Sequence, residues 1–165
     1  IKDAEKGDFD GINTVILRGD GLLLIGRSSD DEDTQQFLDR VPGILESVDD
    51  IHAAVEAGET RKVMNLLDRR KKASVRDSNH SNILHKSVLH GHSDLIRYLV
   101  QSYPELLDQQ DRAGRTPLHY AAVLRDGGHA FKILIKAGAN DSIRDRESLT
   151  PPNYLEQPGL LTEWD

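Results

Sequence analysis

The sequence predicts an all-α fold: a solenoid of about four to five stacked helix–turn–helix repeats. Three observations predict it. Histidine, glycine and aliphatic positions recur every 33 to 35 residues: His52, His85 and His119; Gly58 and Gly91; Leu66-Leu67, Leu99-Val100 and Leu134-Ile135. A polar stretch opened by an aspartate recurs every 34 residues, at Asp77, Asp111 and Asp145. Between these markers lie the start and stop signals of two short helices per unit.

The unit opened by Asp111 shows the pattern most fully. Asp111-Arg112-Ala113-Gly114-Arg115 reads as a tight turn, because Asp and Gly satisfy or relax unusual backbone conformations. Thr116 is a good N-cap, and Pro117 follows at the first helical position, where its missing N–H costs nothing. A first helix is expected to run to about Leu124, with Ala121-Ala122 allowing close backbone approach. After Asp126-Gly127-Gly128, a second helix carries Phe131, Leu134 and Ile135 at i, i+3, i+4 spacing, one apolar stripe. Gly138 ends it, since glycine tolerates the left-handed conformation past a helix terminus. One such unit has too little apolar surface to fold alone, and stacking buries a continuous core.

The run Asp111 to Ala122, with Ala137-Gly138-Ala139-Asn140 after the second helix, resembles an ankyrin repeat. The unit at 77–110 is similar, with Asn82-Ile83-Leu84-His85 for the Thr-Pro-Leu-His run and His80 at the glycine turn position. The unit at 48–76 keeps Ile51-His52-Ala53-Ala54 and its second-helix stripe, and residues 1–19 match by register alone. An insertion at 20–47 separates these two, and 145–165 reads as a degenerate cap carrying Thr150-Pro151-Pro152-Asn153. The resemblance implies a single domain whose first helices and projecting turns line a concave face. It also implies that His85 and His119 hydrogen-bond neighbouring turn backbone, and it implies no chemistry. A chain that begins at Ile1 is expected to be a piece of a longer one.

Composition narrows the function. The net charge of −7 argues against a dedicated nucleic-acid binder, and 5 % aromatics leave few stacking platforms for single strands. Absence of cysteine excludes disulfides and thiolate zinc sites, and fits a cytoplasmic or nuclear setting. The longest aliphatic run, Leu22 to Ile25, is far too short to span a bilayer.

Several short motifs read as coincidence. Gly21-Leu22-Leu23-Leu24-Ile25-Gly26-Arg27-Ser28 has phosphate-loop spacing with Arg in place of Lys, and Asp30-Asp31-Glu32-Asp33 beside it would repel a nucleotide. His85, His90 and His92 lack the cysteines or paired carboxylates that would complete a metal set. Arg18-Gly19-Asp20 spells an adhesion tripeptide at a helix end. Asn79-His80-Ser81 and Asn140-Asp141-Ser142 are glycosylation sequons that matter only in a secreted chain. No nucleophile elbow or acid/base dyad is visible, so no enzyme activity and no cofactor are expected.

The expected function is non-catalytic protein binding, as a scaffold or targeting domain of a larger intracellular protein. The alternative is a regulatory domain attached to an enzyme or channel. Aligning the units places Glu56, Lys86, Leu89, His90, Tyr120, Leu124 and Arg125 at exposed first-helix positions, joined by Arg112, Arg115 and Arg146 from the turns. Tyrosine and arginine are common interface anchors. This mixed surface is expected to take a protein segment with acidic and apolar side chains, with no small-molecule substrate. The basic run Arg69-Arg70-Lys71-Lys72 is read first as a solvated outer face and second as a patch for nucleic acid or membrane. Ser28 and Ser29, before acids, and Ser74, after lysines, are candidate phosphorylation sites. The acidic centre of the insertion is expected to be mobile.

Overall fold

The computed structural model describes residues 16–67, 73–157 and 159. It is an all-α solenoid. A kinked turn at Ile16–Asp20 and a 3-10 turn at Gly21–Leu24 lead into α1 (Glu32–Glu56). Then follow α2 (Thr60–Leu66), α3 (Ile83–Leu89), α4 (Ser93–Ser102), a 3-10 turn at Pro104–Leu106, α5 (Pro117–Val123), α6 (His129–Lys136) and α7 (Pro151–Glu156). First helices stack in sequence: α1 on α3, α3 on α5, α5 on α7. α1, α3 and α5 also pack on their own second helices, α2, α4 and α6, and α4 packs on α6.

The expected helix from Pro117 is present and ends at Val123. Of the expected second-helix stripe, Phe131 and Leu134 face the core and Ile135 does not. In α6, Ala130 and Leu134 are buried and Ile133 is partly so, while Ile135 is exposed. The stripe therefore runs through Ala130, Phe131, Ile133, Leu134 and Ala137 and leaves out Ile135.

One continuous core carries the stack, including Val55, Val63, Leu84, Val88, Leu95, Leu99, Leu118 and Leu134. A second small core holds Ile16, Leu24, Phe37, Leu38 and Val41, so the N-terminal segment folds onto the first half of α1.

Two expectations about residues 20–47 need correction. The acidic run is the start of a helix. Asp31 is the N-cap of α1, its Oδ2 accepting from the Thr34 N–H at 2.8 Å and from Thr34 Oγ1 at 2.6 Å. These bonds hold the Asp31 carboxyl below its usual pKa. Glu32 and Asp33 lie in the first turn, where negative charge favours the helix dipole. There is also no break at 47/48, because α1 continues through Pro42 and Gly43 into the first helix of the next unit. The sequence hid this because Pro and Gly side by side read as a stop, whereas Pro42 removes a single backbone donor from a 25-residue helix.

Leu99 is fully buried in the main core. Leu99→Ala is expected to destabilise the fold by about 2–5 kcal/mol through lost transfer energy and a residual cavity. A urea melt with an unchanged midpoint would contradict that placement.

Candidate functional site: the turn cleft

Three aspartate turns are built alike. The N–H groups of Asp77, Asp111 and Asp145 donate to the carbonyls of Ser81, Arg115 and Leu149, at 3.1, 2.9 and 2.9 Å. Each aspartate Oδ1 accepts two further N–H groups: Asn79 and Ser81, Ala113 and Arg115, Glu147 and Leu149. The fourth turn residue has a positive φ: His80 at 58°, Gly114 at 75° and Ser148 at 63°. Neighbouring turns are linked edge to edge. Arg112 N–H donates to the Asn79 carbonyl at 2.9 Å, and Arg146 N–H to the Ala113 carbonyl at 3.0 Å.

The histidines tie helices to turns. His119 Nδ1 accepts the Thr116 N–H at 3.0 Å, which leaves Nε2–H to donate to the Leu149 carbonyl at 3.2 Å. His85 does the same with the Asn82 N–H and the Arg115 carbonyl, at 3.2 and 2.8 Å. Burial lowers both pKa values, that of His85 to about 4. His52 is the exception. It is buried, yet neither ring nitrogen has a hydrogen-bond partner. For Nδ1 the reason lies in α1: Asp49, at the position of Asn82 and Thr116, is inside a continuous helix and offers no N-cap N–H. Burial, with the Lys86 charge next in weight, lowers the His52 pKa to about 4.

The sequence-derived binding residues divide into two groups. Glu56, His90, Arg112, Arg125 and Arg146 are exposed, and Lys86, Leu89, Arg115 and Leu124 are half-buried. Lys86 pairs with both Glu56 and Asp77, the latter at 3.3 Å. Arg115 Nε lies 3.7 Å from Asp145 Oδ2 and lacks a hydrogen-bond partner, while its guanidinium stands 6.0 Å from the Tyr120 ring centroid.

Tyr120 is not the exposed anchor that register suggested. It is buried, its hydroxyl donates to Asp111, and burial raises its pKa. Tyr154 repeats the arrangement on Asp145, with its pKa pushed up to about 12 by burial. Lys86 fills the same place beside Asp77. The missed signal was internal: Lys86, Tyr120 and Tyr154 each follow a turn aspartate by nine residues. A residue repeating in phase with a structural aspartate is that aspartate's partner.

The turns enclose a cleft of about 330 Å³ lined by Asn79, Ser81, Asp111, Arg112, Arg115 and Arg146, among others. A second cleft of about 140 Å³ adjoins it, and Lys86, Leu89 and His90 contribute to its wall. Asn79, Ser81 and Asp111 were missed as lining residues because sequence reading assigned them to turn chemistry alone.

Among the other candidates, Ser28 and Ser74 are exposed. Ser29 is half-buried, its N–H donating to Gln35 Oε1 and its Oγ accepting the Asp31 N–H. Arg69, Arg70, Lys71 and Lys72 lie outside the described residues, as do residues 1–15 of the expected first repeat and the end of the cap. Among the described residues no group of three or more His, Asp or Glu could hold a metal ion, and no helix is long and apolar enough to cross a membrane.

A family profile described as ankyrin repeats in three copies matches residues 51–145. The chain belongs to the ankyrin-repeat family. It is similar to the nuclear factor NF-kappa-B p105 subunit of Gallus gallus, 32 % identical over 88 residues, covering 50 % of this chain and 9 % of that protein. It is also similar to diacylglycerol kinase iota of Homo sapiens, 29 % identical over 150 residues, 87 % of this chain and 14 % of the kinase. Inversin of Gallus gallus is 34 % identical over 76 residues, 46 % of this chain and 7 % of inversin. The chain thus spans about a tenth of the length of these relatives.

The buried histidines set a pH dependence. For His52 and His85, between the unfolded pKa, about 6.5, and the folded value of about 4, the unfolded chain binds protons that the native imidazoles exclude. Their contribution to stability is therefore complete above the unfolded pKa and is lost as pH falls toward the folded one. Thermal midpoints measured near pH 7 and near pH 5 should show the lower value at the acid end. His52→Leu should shrink that drop without lowering the neutral midpoint, since it removes a buried unpartnered polar ring. An equal drop in the variant would show that His52 does not titrate differently on folding.

Proposed function

We propose that the chain is a non-catalytic protein–protein interaction module, a scaffold or targeting unit of a larger protein in the cytoplasm or nucleus. It binds a protein segment carrying acidic and apolar side chains across its concave face and turns. Membership of the ankyrin-repeat family supports the general reading, since these repeats mediate protein–protein interaction. The observation that carries the finer one is the turn cleft. Arg112, Arg115 and Arg146 converge on it, and the adjoining cleft adds Lys86, His90 and the half-buried Leu89. Arginine pairs with carboxylates through two parallel N–H donors, and the aliphatic surface beside it rewards an apolar neighbour.

The reading calls for no cofactor and no small-molecule substrate. A second reading, a regulatory ankyrin domain attached to an enzyme, is favoured by the similarity to diacylglycerol kinase iota over 87 % of the chain. The sequence of the full-length protein distinguishes the two.

Arg125 and Arg146 are exposed and make no ion pair among the described residues, so reversing them spares the fold. Affinity capture should recover a set of proteins with the wild-type chain that the Arg125→Glu/Arg146→Glu variant loses, because charge complementarity governs encounter. Calorimetry on those proteins should show weaker binding to the variant. Identical recovery by both chains would contradict the assignment of the face.

A further inference from the structure

The chain places one of its own carboxylates against Arg112, an arginine that lines the turn cleft. Asp20 Oδ1 lies 3.2 Å from the Arg112 guanidinium and 3.0 Å from His80 Nε2. Asp20 and Arg112 are 92 residues apart, so this is a tertiary contact and not a local turn. The Arg-Gly-Asp run that resembled an adhesion motif is thus an internal clasp.

The glycine explains how the clasp sits. Gly19 has φ of +91°, and a Cβ there would come within 2.0 Å of the Asp77 carbonyl oxygen. The backbone at residue 19 therefore rests directly on the first turn, in the place that a turn of the preceding unit would fill if α1 did not run straight through. Ile16 and Leu24, on either side, are buried in the small core with Phe37, Leu38 and Val41. The segment is anchored at both ends, while its middle meets the turns through the Asp20 carboxylate.

We propose that Asp20 is an internal pseudo-ligand of the turn cleft: it occupies Arg112 as an acidic side chain of a protein partner does, so Ile16–Leu24 competes with the partner. The proposal rests on the acidic-segment reading above. The chemistry favours exchange over permanent closure. The pair is partly solvated, with 56 % of the Arg112 side chain and 31 % of Asp20 exposed, so water and salt weaken it. A partner that also engages Arg115 and Arg146 makes several contacts where Asp20 makes one. The intramolecular carboxylate lowers the apparent affinity for such a partner and excludes segments too weakly acidic to displace it.

The test uses a fluorescein-labelled hexaglutamate peptide, titrated by anisotropy in low-salt buffer against the wild-type chain and variants. Asp20→Asn should tighten binding about three- to fivefold, the size of one exposed ion pair. Gly19→Ala, which lifts the clasp sterically and leaves its charge, should tighten it as well. In an Arg112→Gln background the Asp20→Asn gain should vanish, and Asp141→Asn, an exposed acid elsewhere, should leave binding within about 1.5-fold. If Arg112→Gln weakens binding but neither Asp20→Asn nor Gly19→Ala tightens it, the pseudo-ligand is overturned and the acidic-segment reading stands. If no form of the chain binds the peptide, the reading fails and the pseudo-ligand with it.

Discussion

A buried or half-buried carboxylate that satisfies several donors at once can organise more backbone than any single helix cap. Asp77, Asp111 and Asp145 each take two turn N–H groups on one oxygen and a Lys or Tyr side chain on the other. The Asp111 and Asp145 turns so closed present the carbonyls of Arg115 and Leu149 to His85 and His119 of the preceding units. Turn, first helix and neighbouring turn are therefore one hydrogen-bonded assembly. The apolar core supplies the larger share of the stabilisation, as in any stacked array. It does not by itself dictate where the turn tips stand, and the aspartates do.

That assembly accounts for the site. Because the turn backbone is held from within by aspartate oxygens, the arginines it carries project at fixed spacing along the edge-to-edge ladder of turns. Arg115 is drawn inward by Asp145 and the Tyr120 ring and closes the floor, while Arg112 and Arg146 remain at the rim. The N-terminal segment completes the rim where the unit before Asp77 lacks a turn. The orphaned His52 records the same gap from the other side, as a family position kept in a helix that no longer offers its partner.

Much of this was legible in the sequence. The 34-residue aspartate spacing located the turns, Thr116-Pro117 and Gly138 bounded a unit, and the family resemblance placed His85 and His119 against neighbouring turns. The parts that were not legible have physical reasons. The acidic run at 30–33 has the composition of a mobile loop, yet one capping bond at Asp31 and the apolar Phe37, Leu38 and Val41 behind it make it a helix start. Tyr120 looked like an anchor because register marks the face a residue occupies and says nothing of whether its hydroxyl has an inward acceptor. The Asp20 clasp joins residues 92 apart through a single glycine-dependent approach, and no periodicity encodes that.

Amide hydrogen exchange on the native chain, compared with Asp111→Ala, tests the organising role of the turn aspartates most directly. Loss of the Asp111 carboxylate should deprotect Ala113 and Arg115, whose N–H groups it accepts, and should also deprotect Arg146, whose N–H donates to that turn at the Ala113 carbonyl. Faster exchange at Arg146 with core amides such as Leu99 unchanged is the predicted result. Unchanged protection at Arg146 would show that each turn holds itself and that the ladder does not depend on its aspartates.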